Sequence, residues 1–415
     1  MTVVAMNAVP RPAAAAALGE RHWRVAAIAL LSVRFIQGFI YWGGGSRRFI
    51  YGPEKLNPDA TTWIANKFQS AMPGALLGTD HLIAFLLHHF WLLYPAVILF
   101  SGAELIADAA LMAGLLTRLA ALVSVGFSVL LMLMFGWQGA TCIDEWTMAA
   151  CNLAMGATLL LVGSGAYSLD NMLLKRNPGL ADRAWFRWLA GSLPLPLTDT
   201  AFRNLGLAVL TAVLAFNIGT YSYYRGSVVT PFHGGPVSPT QHHFALSSGA
   251  LLPDGGAKFH IYLDGGTPEA PAHIMKAELI GGENEPLETW NTETLTRLPA
   301  DSIHNDFAYN KFKAGPYGIV AEMGAMATIT LPPEPNVHLP AGGNIILRLV
   351  DVNGRSFSLK LAGADENSSV QGRQAGLILS RKIESAADGI LGPQTPNRAT
   401  LRYSPKSRRQ RLPWL

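Results

Sequence analysis

The stretch VAAIALLSVRFIQGFIYWGGGSRRFIY, residues 25–51, limits what this chain can fold into more than any other. Its apolar run is long enough to cross a bilayer, which takes about 20 mostly apolar residues. Arg34 lies near its middle, and the run ends in Tyr41 and Trp42, three glycines, then Arg47 and Arg48. A charge inside a span costs roughly 2.5–3.5 kcal/mol on insertion scales, so it faces a partner or a wet cavity. Guanidinium groups just beyond glycines suit planar oxyanions. The stretch therefore reads as part of a membrane protein that handles a small anion at its outer face.

Composition supports the membrane reading. Of 415 residues, 50% are hydrophobic and only 14% charged, a balance expected of a chain about half embedded in lipid. The net charge of +4 is modest, and the basic residues gather at segment ends as topology signals do, which argues against nucleic-acid binding. Two cysteines, Cys142 and Cys151, make neither a disulfide framework nor a four-cysteine metal site, and no haem, zinc or iron–sulfur spacing is present. The N-terminal apolar run is too long for a signal peptide and is broken by Arg34, so it reads as a retained span.

Along the chain, residues 1–22 are Ala- and Pro-rich and are expected to be disordered. A four-span membrane region is expected over 23–165, with spans near 25–43, 92–116, 119–137 and 146–163. Between the first two lies a long loop whose second half, PGALLGTDHLIAFLLHHFW, is apolar enough to lie on or dip into the membrane. An amphipathic basic connector follows over 166–204, then a fifth span over 205–222. From 223 to 361 the runs KFHIYL, HIMKAELI, AMATITL, NIILRLV and SFSLKL, with an Asn353-Gly354 hairpin turn, predict a small β-sandwich. Residues 362–415 read as a polar flexible tail. Arg11, Arg21, Arg24, Arg118 and the basic connector place the N-terminus in the cytoplasm, although Arg47, Arg48, Lys55 and Lys67 then lie outside. Five spans put the β domain outside the cytoplasm.

Arg34 lies nine residues into the first expected span and Glu104 twelve into the second, so both are expected near mid-membrane. Glu104 and Asp108, four apart, share a helix face, and one arginine opposite two carboxylates can satisfy all three. Such a cluster either locks the bundle as a structural ion pair or carries protons and orients a redox partner. Arg47 and Arg48 are either headgroup anchors or an oxyanion clamp helped by free glycine N–H groups. His88 and His89 point to different helix faces, and one of them, with Trp42, can meet the carbonyl of a quinone at the interface. Interfacial histidines of no special role are the plainer alternative. Cys142 beside Asp144 and Glu145 is poorly placed for an activated thiolate. Trp42, Trp63, Trp91, Trp137 and Trp146 fall near span ends, as an aromatic belt does. His233, His242, His243 and His260 are scattered over the β region and define no metal site.

The run RFIQGFIYWGGGSRRFIYGPEKLNP, the acidic second span and its LLTRLA exit resemble the DoxD subunit of thiosulfate:quinone oxidoreductase, within the wider DoxX-like membrane family. The region from 219 to 361, entered through YYRGSVVTPFHGGPVSP, resembles the DoxA subunit. The chain thus looks like a DoxD–DoxA fusion. The resemblance implies an enzyme of the cell membrane that oxidises thiosulfate to tetrathionate at the outer face and passes electrons to membrane quinone. It carries no catalytic residue over. From chemistry alone, Arg47 and Arg48 are the expected substrate-binding groups and Glu104 and Asp108 the expected proton handlers. Arg34 and Arg118 are expected as structural or electrostatic supports. Quinone is the electron acceptor in this reading, and no bound redox cofactor is legible. A competing reading is a non-catalytic anchor that docks a separate redox protein, and the assembly is left open between a homo-oligomer and a complex with a redox partner subunit. An anion transporter fits less well, since no inverted repeat is visible.

Overall fold

The computed structural model describes residues 12–138, 145–225, 237–238, 240–282, 285–333 and 345–362. Among them, five helical segments are long and apolar enough to cross a membrane: Gly19–Tyr51, Phe90–Ala113, Thr117–Phe135, Glu145–Val162 and Asp199–Tyr224. An antiparallel β domain follows them.

The first segment is longer than the expected 25–43. Helix α1, Pro12–Ala29, continues through Leu30 into α2, Leu31–Ser46, and the chain then tightens into a π-helical turn, Arg47–Tyr51. Residues 12–22 were expected to be disordered and are helical instead, because the alanine run is the strongest intrinsic helix former there is. The three glycines at 43–45 do not leave the helix. They lie inside α2, where their N–H groups serve the helix, so the expected anion nest does not form. Gly45 and the earlier Gly38 let α2 press against α5, Phe90–Ala113. A Cβ on Gly38 would come within 2.6 Å of the Asp108 carbonyl oxygen, and one on Gly45 within 2.8 Å of the Leu105 nitrogen. Small residues at a helix crossing are how membrane helices gain packing without a hydrophobic driving force.

Between them come α3, Ile64–Ala71, and α4, Thr79–His88. The remaining bundle helices are α6, Thr117–Phe135, and α7, Glu145–Val162. The connector carries α8, Leu169–Arg176, and α9, Ala184–Leu189, before the fifth span, α10, Asp199–Arg225. Only 6% of the apolar window of α10 is buried, so it leans on α7 and leaves most of its surface to lipid.

Asp170 knits the connector end of the bundle together. Fully buried, its carboxylate accepts from the Leu116, Thr117 and Gly191 backbone N–H groups and from the Thr117 hydroxyl. It thereby caps the start of α6 from a distant segment. Arg118 donates to the carbonyls of Leu160, Arg187, Ala190 and Leu193.

The β domain packs two sheets face to face. One has the order β1 (His243–Leu251), β2 (Ala257–Gly265), β8 (Met326–Leu331), β5 (Ile303–Asn305). The other runs β10 (Ser356–Lys360), β9 (Ile346–Asp351), β3 (Ala272–Ile280), β7 (Gly318–Ala321), β6 (Phe312–Gly315), with β4 (Pro286–Trp290) also on β3. A short helix α11, Thr292–Thr296, follows β4. Alternating positions such as Phe259, Ile261 and Leu263 from one sheet meet Ala277, Leu279, Leu347 and Leu349 from the other. Gly354, with φ of 77°, turns β9 into β10, at the expected Asn-Gly hairpin.

This domain is seated on the bundle. Buried Gln69 donates to the carbonyls of Asn310 and Gly324 at 3.0 Å each and accepts from the Asn310 N–H at 2.9 Å. Trp137, 2% exposed, donates to the Ala71 carbonyl and joins the β-domain core, while Trp63 is 1% exposed. Neither belongs to an aromatic belt, as was expected of both: docking the β domain covered them. Trp91, at 73% exposure, fits the belt.

Candidate functional site

The antiparallel register of α2 on α5 decides which charges meet. Gly38 lies against Asp108 and Met112, Gly44 against Glu104, and Arg34 against Gly114. Gly114 is ten residues beyond Glu104, roughly 15 Å along the helix. The expected cluster of Arg34 with Glu104 and Asp108 therefore does not form. The depth argument failed because the first helix begins earlier and ends later than its apolar run suggests. Arg34 sits instead at the connector end, 5% exposed, donating to the carbonyls of Ser164 at 3.3 Å and Tyr167 at 2.8 Å.

The partner of Glu104 is Arg48. The π-helical turn at the end of α2 swings this side chain back toward α5, where it pairs with the Glu104 carboxylate and reaches Ser101 Oγ at 3.4 Å. π-Helical turns inside helical segments are frequent at functional sites, because they re-aim one side chain at the expense of regular bonding. Arg47, one residue earlier, is exposed. The two arginines thus do different things, and the symmetric clamp expected of them is not built.

Arg48 lines a cavity of about 240 Å³ enclosed by α3, α4, α5 and α6. Its walls include Ile83, Leu87, Leu93, Val97, Phe100 and Met134, and among its lining residues the charged ones are Arg48 and Lys67. Leu82 and Leu130 also line it and are exposed on the apolar outside of the bundle, at 55% and 37%. The cavity therefore meets the lipid-side surface of the helices with apolar residues and carries two cations in its lining. A planar apolar ring with a polar carbonyl at one end fits such a shape.

Above it lies a rim of positive charge. Lys67 forms a 2.7 Å ion pair with Glu145 and stands over the Phe135 ring. Partial burial, then the neighbouring charges of Arg47, Lys67 and Arg48, lower the Lys55 ammonium below the usual lysine range. Four cations near one another, with Glu145 on Lys67, Glu104 on Arg48 and Glu54 beside Lys55 as their carboxylate neighbours, leave a surface of net positive charge that attracts anions. The sequence showed Lys55 and Lys67 only as an offence against the positive-inside trend.

On the other side of Glu104, a polar layer crosses the bundle core. Asp108, fully buried, accepts from Ser124 Oγ. Ser128 donates to the Ser124 carbonyl at 2.9 Å, so Tyr41, 2.8 Å from Ser128 Oγ, is the donor of that second bond. Gln37 and Asn152, both fully buried, face the same region from α2 and α7. Neither residue was singled out from the sequence, although Arg34, Gln37 and Tyr41 recur at helical spacing along one face.

The other expected ligand-facing residues are placed elsewhere. His88 stacks on Phe307 of the β domain at 4.6 Å, and His89 is bonded to the Phe85 carbonyl at 2.7 Å. Trp42 stacks with Phe39 on α2. None of the three lines the cavity. Cys142 and His233 lie outside the described residues, and Cys151 is exposed on α7. His243 is paired with Asp264 and His260 with Asp306, and no group of three or more His, Cys, Asp or Glu able to hold a metal occurs among the described residues.

Comparison with known families divides the chain at the same place as the fold. Residues 29–198 match the family described as TQO small subunit DoxD, and residues 224–360 match that described as TQO small subunit DoxA.

Proposed function

The chain joins a member of the DoxD family to a member of the DoxA family, both small subunits of thiosulfate:quinone oxidoreductase, and from that premise we propose that it oxidises thiosulfate to tetrathionate and reduces membrane quinone. The observation that carries this reading is the sharing of cations between two surfaces. Arg48 and Lys67 line the apolar cavity and belong to the charged rim above it.

The reaction needs such an arrangement. Two thiosulfate dianions join through a new S–S bond and release two electrons, and the quinone takes those electrons with two protons to become a quinol. Two dianions 4 Å apart repel by about 4 kcal/mol even in water. Arg47, Lys55 and Lys67 offset that repulsion and hold the substrates at the rim. Arg48 points at the quinone oxygen and stabilises the negative charge that develops there. Glu104 fixes the guanidinium of Arg48, and Glu104 and Asp108, one turn apart on α5, relay protons to the two quinone oxygens. Arg34 and Arg118 hold the connector end and take no part in the chemistry.

In the same reading the basic connector faces the cytoplasm of a cell membrane, and the odd number of spans puts the rim and the β domain outside it. The β domain, seated on α3 and against His88, covers the rim from above and limits what reaches it.

The test is quinone reduction by the purified full-length chain with and without thiosulfate. Thiosulfate-dependent turnover, with a raised KM for thiosulfate in Arg47→Ala and a raised KM for quinone in Val97→Trp, would support the assignment. Folded, quinone-binding protein that shows no turnover would move the redox step to another subunit.

A further inference from the structure

The polar layer inside the bundle is more than the proposed reaction uses. Gln37 Oε1 and Nε2, Asn152 Oδ1 and Nδ2 and Asp108 Oδ2 are buried without a well-formed hydrogen bond, the Tyr41 hydroxyl lying beside Asn152. Leaving such groups dry costs about 1–3 kcal/mol each, so a ligand is expected. A cation would satisfy the three oxygens and leave both amide N–H₂ groups unanswered. Water donates and accepts, and it answers all five atoms.

The orphaned atoms also continue toward one end. Arg34 Nε, Ser164 Oγ and Ser192 Oγ are likewise buried without partners, and they lie at the connector end. Gln37 is one turn of α2 further in, and Tyr41 the next. Asp108 follows, then Glu104 and Arg48 at the cavity. The positive charge of Arg34, which would repel a passing proton, lies within electrostatic range of the Asp170 carboxylate, as does that of Arg118. No comparable row of unsatisfied atoms leads from Glu104 up to the β domain among the described residues.

We infer that Gln37, Asn152 and Asp108 hold a chain of water through which the protons for quinone reduction enter from the connector side, opposite the β domain. This inference rests on the proposed function. Its consequence is that turnover separates charge across the membrane. Electrons come from thiosulfate on the β-domain side, protons from the other side, and both end on the quinone. Gln37 and Asn152 are positioning residues for the water and touch neither substrate.

The test uses the full-length chain in sealed vesicles that contain a membrane quinone and a trapped pH dye. Thiosulfate is a dianion that does not cross the bilayer, so adding it outside activates only molecules whose rim faces out. The expected result is alkalinisation of the lumen by two protons per quinol formed, with the lumen turning negative. Uptake of those protons from the outer medium during turnover, with the lumen unchanged, overturns the inference. Gln37→Leu and Asn152→Leu are expected to slow turnover by roughly 100-fold while the thiosulfate KM stays the same. Asn152→Ser, which still binds water, is expected to restore most of the rate. Should no thiosulfate-driven turnover occur at all, the proposed function fails. The water chain is then read by infrared spectroscopy after transfer to D₂O: rapid exchange at the Asp108 carboxyl, slowed in Gln37→Leu, supports it, and exchange that the variant does not change overturns it.

Discussion

Arg48 and Glu104, 56 residues apart in sequence, form an ion pair within the helical layer, and each makes the other's burial tolerable. Removing one member of a buried pair costs about 3–5 kcal/mol, because the survivor is left charged and unanswered. Arg48→Met or Glu104→Met alone is therefore expected to lower the melting temperature in detergent markedly. The double variant Arg48→Met/Glu104→Met is expected to regain most of that stability and none of the quinone reduction. A double variant as unstable as the singles would refute the pairing.

The glycines of α2 give a graded prediction. A Cβ on Gly38 meets the α5 backbone at 2.6 Å, whereas a Cβ on Gly43 has nothing within 4 Å. Gly38→Ala is expected to destabilise by about 1–3 kcal/mol through overpacking, and Gly43→Ala to be neutral or slightly stabilising. Thermal unfolding of the two variants side by side checks it.

The cavity makes a prediction about substrate selectivity. Val97, 2% exposed, lines it from α5. Val97→Trp is expected to raise the KM for quinone at least tenfold and leave that for thiosulfate within twofold, about 1.4 kcal/mol of selective loss. Steady-state kinetics with each substrate varied in turn would show the split, and a matched rise in both would point to misfolding.

Lys55 gives a pH dependence. Its ammonium is held below the usual lysine range by partial burial and by Arg47, Lys67 and Arg48. Its positive charge, and the help it gives to anion binding, is therefore present below the lowered value and lost as the pH rises through it, earlier than for a free lysine. The thiosulfate KM is expected to climb in alkaline buffer, and Lys55→Arg, which keeps its charge, is expected to flatten the climb. An unchanged profile in Lys55→Arg would remove Lys55 from the site.

The seat of the β domain is also testable. Gln69→Ala leaves the Asn310 N–H and the carbonyls of Asn310 and Gly324 without their partner. A loss of about 1–3 kcal/mol is expected, read as faster proteolytic release of the β domain while the bundle stays intact.

The sequence by itself determined the two-part architecture. Apolar runs of bilayer length and the change to short alternating strands with turns are local signals, as is the Asn353-Gly354 hairpin, and the physics behind each is local. Strands such as β1 were not legible, because a bulge and the φ of 51° at Ser248 break their alternation. What only the tertiary structure decided is which charges meet. Three glycines whose N–H groups were expected to be free for an anion instead extend α2 by a turn, and the π-helical turn after them re-aims Arg48. Those two features shift the antiparallel register so that Glu104 faces residue 44 and not residue 34. Trp63 and Trp137 look like belt residues until a domain from elsewhere in the chain covers them. Pairing across helices depends on register and on long-range docking, and neither is set by the residues next to a charge in sequence.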